Sequence, residues 1–283
     1  MTTATVHGLC VALVALDFAA RSWRTQLFAL GLGHRLPFRE ALVQSALGET
    51  AAALTPMRAG AEPVRMWALG RQGVPARLAI LVVGLELVAL SAVVLAAAAG
   101  LAVTVAPEWW RHAGPGLLRS TARGWPWMAA IAAASLAAWT VVRLRRPELL
   151  HAVSAELRAT RGHLRDVPLW VHAANVPVSL LNIGARVAIL PLLASRLPAP
   201  PPLAATVVGS FFLLYAQALL PTPAGAGAVE LIFLGGAAGN LGAAEAALLG
   251  LWRFYTTILG AALGAVLASW RFHRVVLPFD RRP

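Results

Sequence analysis

Arg58, Glu62 and Arg65 fall within eight positions of an otherwise apolar chain. A guanidinium offers two parallel N–H donors, so this spacing suits the grip of a phosphate or carboxylate. Glu86 and Arg253 each stand alone in the middle of a long apolar run, and Glu230 follows a second break of the chain. Asn175, Ser179, Asn182 and Arg186 are spaced 4, 3 and 4, which puts them on one helical stripe. Ionisable groups at bilayer depth are costly and therefore face a partner or a wet cavity. Glu86 and Arg253 are expected to pair with each other or alternately with substrate, and the stripe either lines a polar path or joins helices by hydrogen bonds. Glu62 and Glu230 either contact a ligand or neutralise helix N-termini, and Arg65 either contacts a ligand or snorkels to the surface. No HExxH, GxSxG or Walker A pattern occurs, the seven His are scattered, and Cys10 is the single cysteine. We therefore expect no catalytic residue, cofactor or metal site.

These residues need a membrane-embedded frame. Of 283 residues, 59% are hydrophobic and 13% charged, with a mean hydropathy of +0.70. That balance describes an all-α polytopic membrane protein, 1–283 forming a single integral membrane domain. Five segments read as spans: 5–20, 75–105, 125–142, 167–195 and 241–270. The net charge of +12 comes from arginines gathered between apolar segments, a lipid-facing pattern rather than a nucleic-acid one.

Two further regions, 41–69 and 203–238, are apolar but broken. Thr55, Pro56, Ala59, Gly60 and Ala61 recur 167 residues on as Thr222, Pro223, Ala226, Gly227 and Ala228. Glu86 and Arg253 match in the same register. Three spans between the breaks invert the second unit, so 41–105 and 203–270 read as an inverted repeat with a broken re-entrant hairpin in each half. Pro56 interrupts the first helix, Gly60 permits the reversal, and Pro63 fits the first turn of a new helix with Glu62 at its cap. Pro223, Gly225 and Gly227 make the second break. The freed N–H groups of each half-helix suit an anion.

Counting Arg21, Arg24, Arg35, Arg39, Arg71, the six arginines of 143–165 and the C-terminal ones on one face makes that face cytoplasmic. The N-terminus is then outside and the C-terminus cytoplasmic. Residues 143–166 suit a cytoplasmic connector, either amphipathic on the inner leaflet or simply solvated. Gly114–Trp127 and Pro198–Ala205 read as loops.

The stretches Arg21–Leu42, Ala53–Leu69, "LLPTPAGAGAVE" and "WRFYTTILGAALGA" resemble the lysylphosphatidylglycerol synthase transmembrane region, also called the flippase-like family. One motif of that family falls on Pro56, Arg58, Gly60, Ala61, Glu62 and Arg65. Another falls on Pro221, Thr222, Pro223, Ala224, Gly225, Gly227 and Glu230, and an arginine of its last helix falls on Arg253. The resemblance covers about residues 15–270. Ala61 and Ala224 stand where the family often has Gly; its usual first helix and the cytosolic synthase domain are not recognised. The resemblance implies a bacterial inner-membrane lipid translocase, its substrate an anionic or aminoacylated phospholipid or another membrane lipid. The alternatives are a non-transporting partner of a lipid or cell-envelope biosynthesis enzyme and a membrane-embedded lipid transferase.

Overall fold

The computed structural model describes residues 2–104, 167–219 and 243–272, together with Thr140 and Gly225. All the elements it describes are helical: α1 (Thr3–Gly31), α2 (Phe38–Leu54), α3 (Ala61–Arg71), α4 (Ala76–Thr104), α5 (Leu169–Val187), α6 (Ile189–Ala194), α7 (Leu203–Ala216), α8 (Ala243–Arg253) and α9 (Leu259–Phe272). A 3₁₀ turn, Gln217–Leu219, extends α7, and a π turn, Phe254–Ile258, joins α8 to α9. Among the described residues four helical stretches are long and apolar enough to cross a membrane: Thr3–Gly31, Ala76–Thr104, Leu169–Ala194 and Ala247–Trp270. The expected span 125–142, the loop Gly114–Trp127 and the connector 143–166 lie outside the described residues, except for Thr140.

The first span corrects the sequence reading. It runs 29 residues rather than ending at position 20, about 43 Å at 1.5 Å per residue. Arg21 and Arg24, expected in a cytoplasmic loop, are instead inside the helix, with Arg24 only 3% exposed. The apolar run looked finished at Asp17 because charges normally end a span. Here they continue it because partners within the helix and on α2 and α4 neutralise them.

The first broken region forms a helical hairpin that enters and leaves at one level. α1 and α3 end alike: Gly33 (φ 78°) and Gly73 (φ 83°) take the left-handed conformation. In each, the two following amides close the last turn, His34 N to Ala29 O at 2.9 Å and Val74 N to Leu69 O at 3.1 Å. The Gln72 side-chain amide donates to Glu40 O at 3.2 Å, tying the exit of α3 to the entry of α2. Pro37 and Pro75 then start α2 and α4 where a backbone donor is dispensable.

α5 runs antiparallel to α1. Val167 and Val171 lie against Gly31 at one end, and Arg196 reaches Thr3 at 3.5 Å at the other. α7 therefore starts near the N-terminal end of α1, opposite the entry of α2. α9 packs closely on α2: a Cβ on Gly264 would stand 2.1 Å from Ala46 O, and Thr50 Oγ1 donates to Ala261 O at 2.8 Å.

The core is stratified. One apolar layer joins Val6, Cys10, Val14 and Phe18 to Leu190, Leu213 and Trp252. The other joins Phe28 and Ala29 to Leu69, Val82, Val83 and Val171. Between them α1 contributes Asp17, Arg21, Arg24 and Thr25, all to a polar layer halfway along the helix.

Candidate functional site

The hairpin break is made by three devices. Thr55 Oγ1 donates to Ala51 O at 2.7 Å and accepts from Gly60 N at 2.9 Å, so one hydroxyl closes α2 and supports the start of α3. Pro56 cannot donate, and Met57 (φ 54°) and Arg58 (φ 59°) both take the left-handed conformation. The reversal expected at Gly60 is thus carried by Met57 and Arg58. Gly60 has an ordinary φ of −75°, and its role is space, since a Cβ would meet Thr55 Cγ2 at 2.7 Å. Gly60, not Glu62, is the N-cap of α3; Glu62 and Pro63 lie within its first turn. A left-handed Cβ costs roughly 1–2 kcal/mol per residue. The fold accepts that penalty at Arg58, where it aims a guanidinium inward.

That guanidinium meets Glu49 on α2, its Nη2 2.9 Å from both carboxylate oxygens. Arg21 Nη1 reaches the same carboxylate at 2.6 Å and Arg186 Nη2 at 3.2 Å. Glu49 is 2% exposed, so three guanidinium groups from three elements converge on one buried carboxylate. A second node is Glu86 on α4, which accepts from Arg24 Nε at 2.8 Å, Thr25 Oγ1 at 3.0 Å and Arg65 Nη2. Arg65 also pairs with Glu62 at 3.0 Å and donates to Gln44 at 2.8 Å. Its side chain points into the protein and does not snorkel. Asp17 links the nodes through Arg21 at 3.0 Å and Asn182.

Among the described residues, five arginines (21, 24, 58, 65 and 186) face four carboxylates (Asp17, Glu49, Glu62 and Glu86), one positive charge more than negative. Not every donor is used. Arg186 Nε is buried without a hydrogen-bond partner, the Asp17 carboxylate being 3.8 Å away. Arg58 Nη1 has only a long 3.4 Å contact with Gln217, where the 3₁₀ turn after α7 meets the tip of the α2–α3 hairpin. Arg186 is held by Thr256 O at 2.6 Å, a carbonyl that the π turn presents toward α5.

A cavity of about 600 Å³ opens onto this layer and touches Arg21, Arg58, Arg65, Glu62, Asn182 and Arg186. Its other wall is largely apolar: Leu87, Leu90, Val94 and Leu95, with Ser91 among them, continue along α4 from Glu86. That run of nine residues is about 14 Å long, charged at one end and apolar at the other.

The predicted residues divide as follows. Arg58, Glu62, Arg65, Glu86, Asn182 and Arg186 are brought together at the cavity. Asn175 is not among the cavity-lining residues; it is buried and accepts from Ser179 at 3.2 Å, so the upper half of the stripe serves packing against α1. The expected Glu86–Arg253 pair is replaced by Glu86 with Arg24 and Arg65, while the Arg253 guanidinium lies over the Trp252 ring, 5.9 Å from its centroid. Helix register explains the exchange, because Arg24 and Arg65 reach Glu86 from the adjacent α1 and α3. Glu230, Thr222, Pro223 and Gly227 lie outside the described residues; Gly225 has a φ of 67°. Sequence reading missed Glu49, Gln44, Arg21, Arg24 and Asp17 as site residues. Their signal was present: Asp17, Arg21 and Arg24 share a helical face, and Glu49 stands among "SALGETAAAL".

The family model for the lysylphosphatidylglycerol synthase TM region matches residues 2–264, nearly the whole chain. The chain belongs to that family. No curated protein matches its sequence. In this member of the lysylphosphatidylglycerol synthase transmembrane-region family, Arg58, Glu62 and Arg65 line the cavity wall, and Gly48 leaves room for the Arg65 stem.

Proposed function

We propose that the protein is a lipid translocase of the bacterial inner membrane that passes an anionic headgroup through the charged cavity while acyl chains stay in the bilayer. The observation that carries this reading is the cavity's two-ended wall, five arginines that outnumber the four described carboxylates at one end and the largely apolar face of α4 at the other. A phospholipid has that same polarity.

Arg58 and Arg186 are the arms of the grip. Both donate to Glu49 and line the cavity, and Arg58 Nη1, held by a long 3.4 Å contact with Gln217, is a donor that a phosphate oxygen would take. Glu62, whose side chain is 33% exposed, is the most accessible carboxylate of the cluster and suits a headgroup amine. The α2–α3 and α7 arms enter from opposite ends and meet at Arg58 and Gln217, an arrangement that supports an inverted repeat and a site near mid-bilayer. With 143–166 cytoplasmic, the N-terminus is outside and the C-terminus inside.

The test is leaflet exchange of fluorescent phospholipids in liposomes, with anionic, aminoacylated and zwitterionic headgroups, for the unaltered protein and Arg58→Ala. Headgroup-selective exchange lost in the folded variant supports translocation. Absence of exchange with every headgroup, from folded and correctly inserted protein, would refute it and favour a non-transporting partner of a lipid-biosynthesis enzyme.

A further inference from the structure

α4, α5 and α7 enclose a second hollow beyond the charged cavity. It is an open groove of about 440 Å³ lined by Ala97, Gly100, Leu101, Leu180, Gly184 and Phe211, among other apolar residues. The two hollows share all three helices. On α4, Leu90, Val94, Ala97, Leu101 and Thr104 lie on one helical stripe, the first two lining the cavity and the last three the groove. On α7, Tyr215 lines the cavity and Phe211, one turn earlier, lines the groove, their ring centroids 4.7 Å apart.

We propose that this groove holds an apolar chain, acyl or isoprenoid, of the same molecule whose headgroup occupies the charged cavity, with the chain passing beside the Phe211–Tyr215 ring pair. The inference rests on the headgroup reading above and adds a second subsite to it. The groove fits within a chain's length: Ala97 to Thr104 spans about 10 Å along α4, and one leaflet's chains cover about half of a ~30 Å hydrocarbon core. The groove continues the apolar end of the cavity wall, so a lipid held by its phosphate has a chain at the right place to enter it. The two glycines facing each other across the groove keep it open. A Cβ at Gly100 or Gly184 would meet no atom within 4 Å, so a side chain added at either glycine starts in open space at the groove.

The experiment uses two photoreactive probes in liposomes, phosphatidylglycerol with a diazirine at the chain end and diacylglycerol with the same chains, and maps crosslinks by mass spectrometry. The unaltered protein is compared with Gly184→Leu, Gly100→Leu and Arg58→Ala. Expected is labelling of Leu101, Leu180 or Phe211 by the phospholipid. That labelling falls roughly tenfold in either glycine variant, the factor for expelling about two methylenes from an apolar site, and it falls also in Arg58→Ala. Equal labelling by diacylglycerol, insensitive to Arg58→Ala, would mean bulk lipid in the groove and overturn the proposal, as would no groove labelling. Leaflet exchange measured in parallel separates the two readings. Exchange without groove labelling refutes the groove alone; headgroup-dependent labelling without exchange upholds the groove and refutes translocation.

Discussion

Replacing Glu49 by Gln changes two atoms' chemistry and little volume, yet it removes the charge on which Arg21, Arg58 and Arg186 converge. Arg21 keeps Asp17 and Arg186 keeps Thr256 O, but Arg58 loses its only described carboxylate, and the excess among the described charges rises from one positive charge to two. Breaking a buried ion pair by removing one partner costs about 3–5 kcal/mol, and Glu49 at 2% exposure falls in that class. At ~2–4 °C per kcal/mol, the unfolding midpoint of the purified protein should fall by roughly 6–20 °C. Glu62→Gln is the control: one ion pair, 33% exposed side chain, and an expected loss of about 1 kcal/mol or less. The assay is thermal unfolding in one detergent, followed by fluorescence-detected size exclusion. Added phosphatidylglycerol should recover more stability in Glu49→Gln than in the unaltered protein, because a ligand stabilises by mass action and the anion site is emptier of carboxylate. Equal midpoints for the two variants would refute the reasoning, since the convergence on Glu49 would then carry no energy.

Gly264→Ala should lower stability by about 1–3 kcal/mol, because its Cβ would stand 2.1 Å from Ala46 O and force α9 off α2. Gly84→Ala, where a Cβ meets nothing within 4 Å, should hold or raise it by about 0.5–1 kcal/mol; the same unfolding assay compares them. Met57→Gly should leave stability unchanged or up to about 1 kcal/mol higher, because the left-handed penalty is lifted against a gain in unfolded-chain freedom. Met57→Val should lower it, as a β-branched residue fits φ 54° poorly.

The helical hairpin was legible in the sequence because Thr55 and Pro56 are local instructions: a hydroxyl at the end of α2 and a residue that cannot continue the ladder. The polar stripe through Asn182 and Arg186 was legible for the same reason, being set by spacing on one helix. What spacing cannot show is which charges meet. Glu86 was expected to pair with Arg253, and its pairing with Arg24 and Arg65 instead is made by the packing of α1, α3 and α4. The length of α1 was misread because Asp17, Arg21 and Arg24 resemble a span boundary until their partners on α2, α4 and α5 are known. The left-handed Met57–Arg58 pair was also hidden, since neither residue type advertises that conformation and the adjacent Gly60 does.

The most direct measurement is an experimental structure of the protein in nanodiscs containing phosphatidylglycerol, at a resolution that places a phosphate. The account expects that phosphate in the charged cavity, within hydrogen-bond distance of the Arg58 and Arg186 guanidinium groups, with Glu49 still held by Arg21. A lipid phosphate bound only outside the cavity, with Arg58 and Arg186 still directed at Glu49 alone, would contradict it.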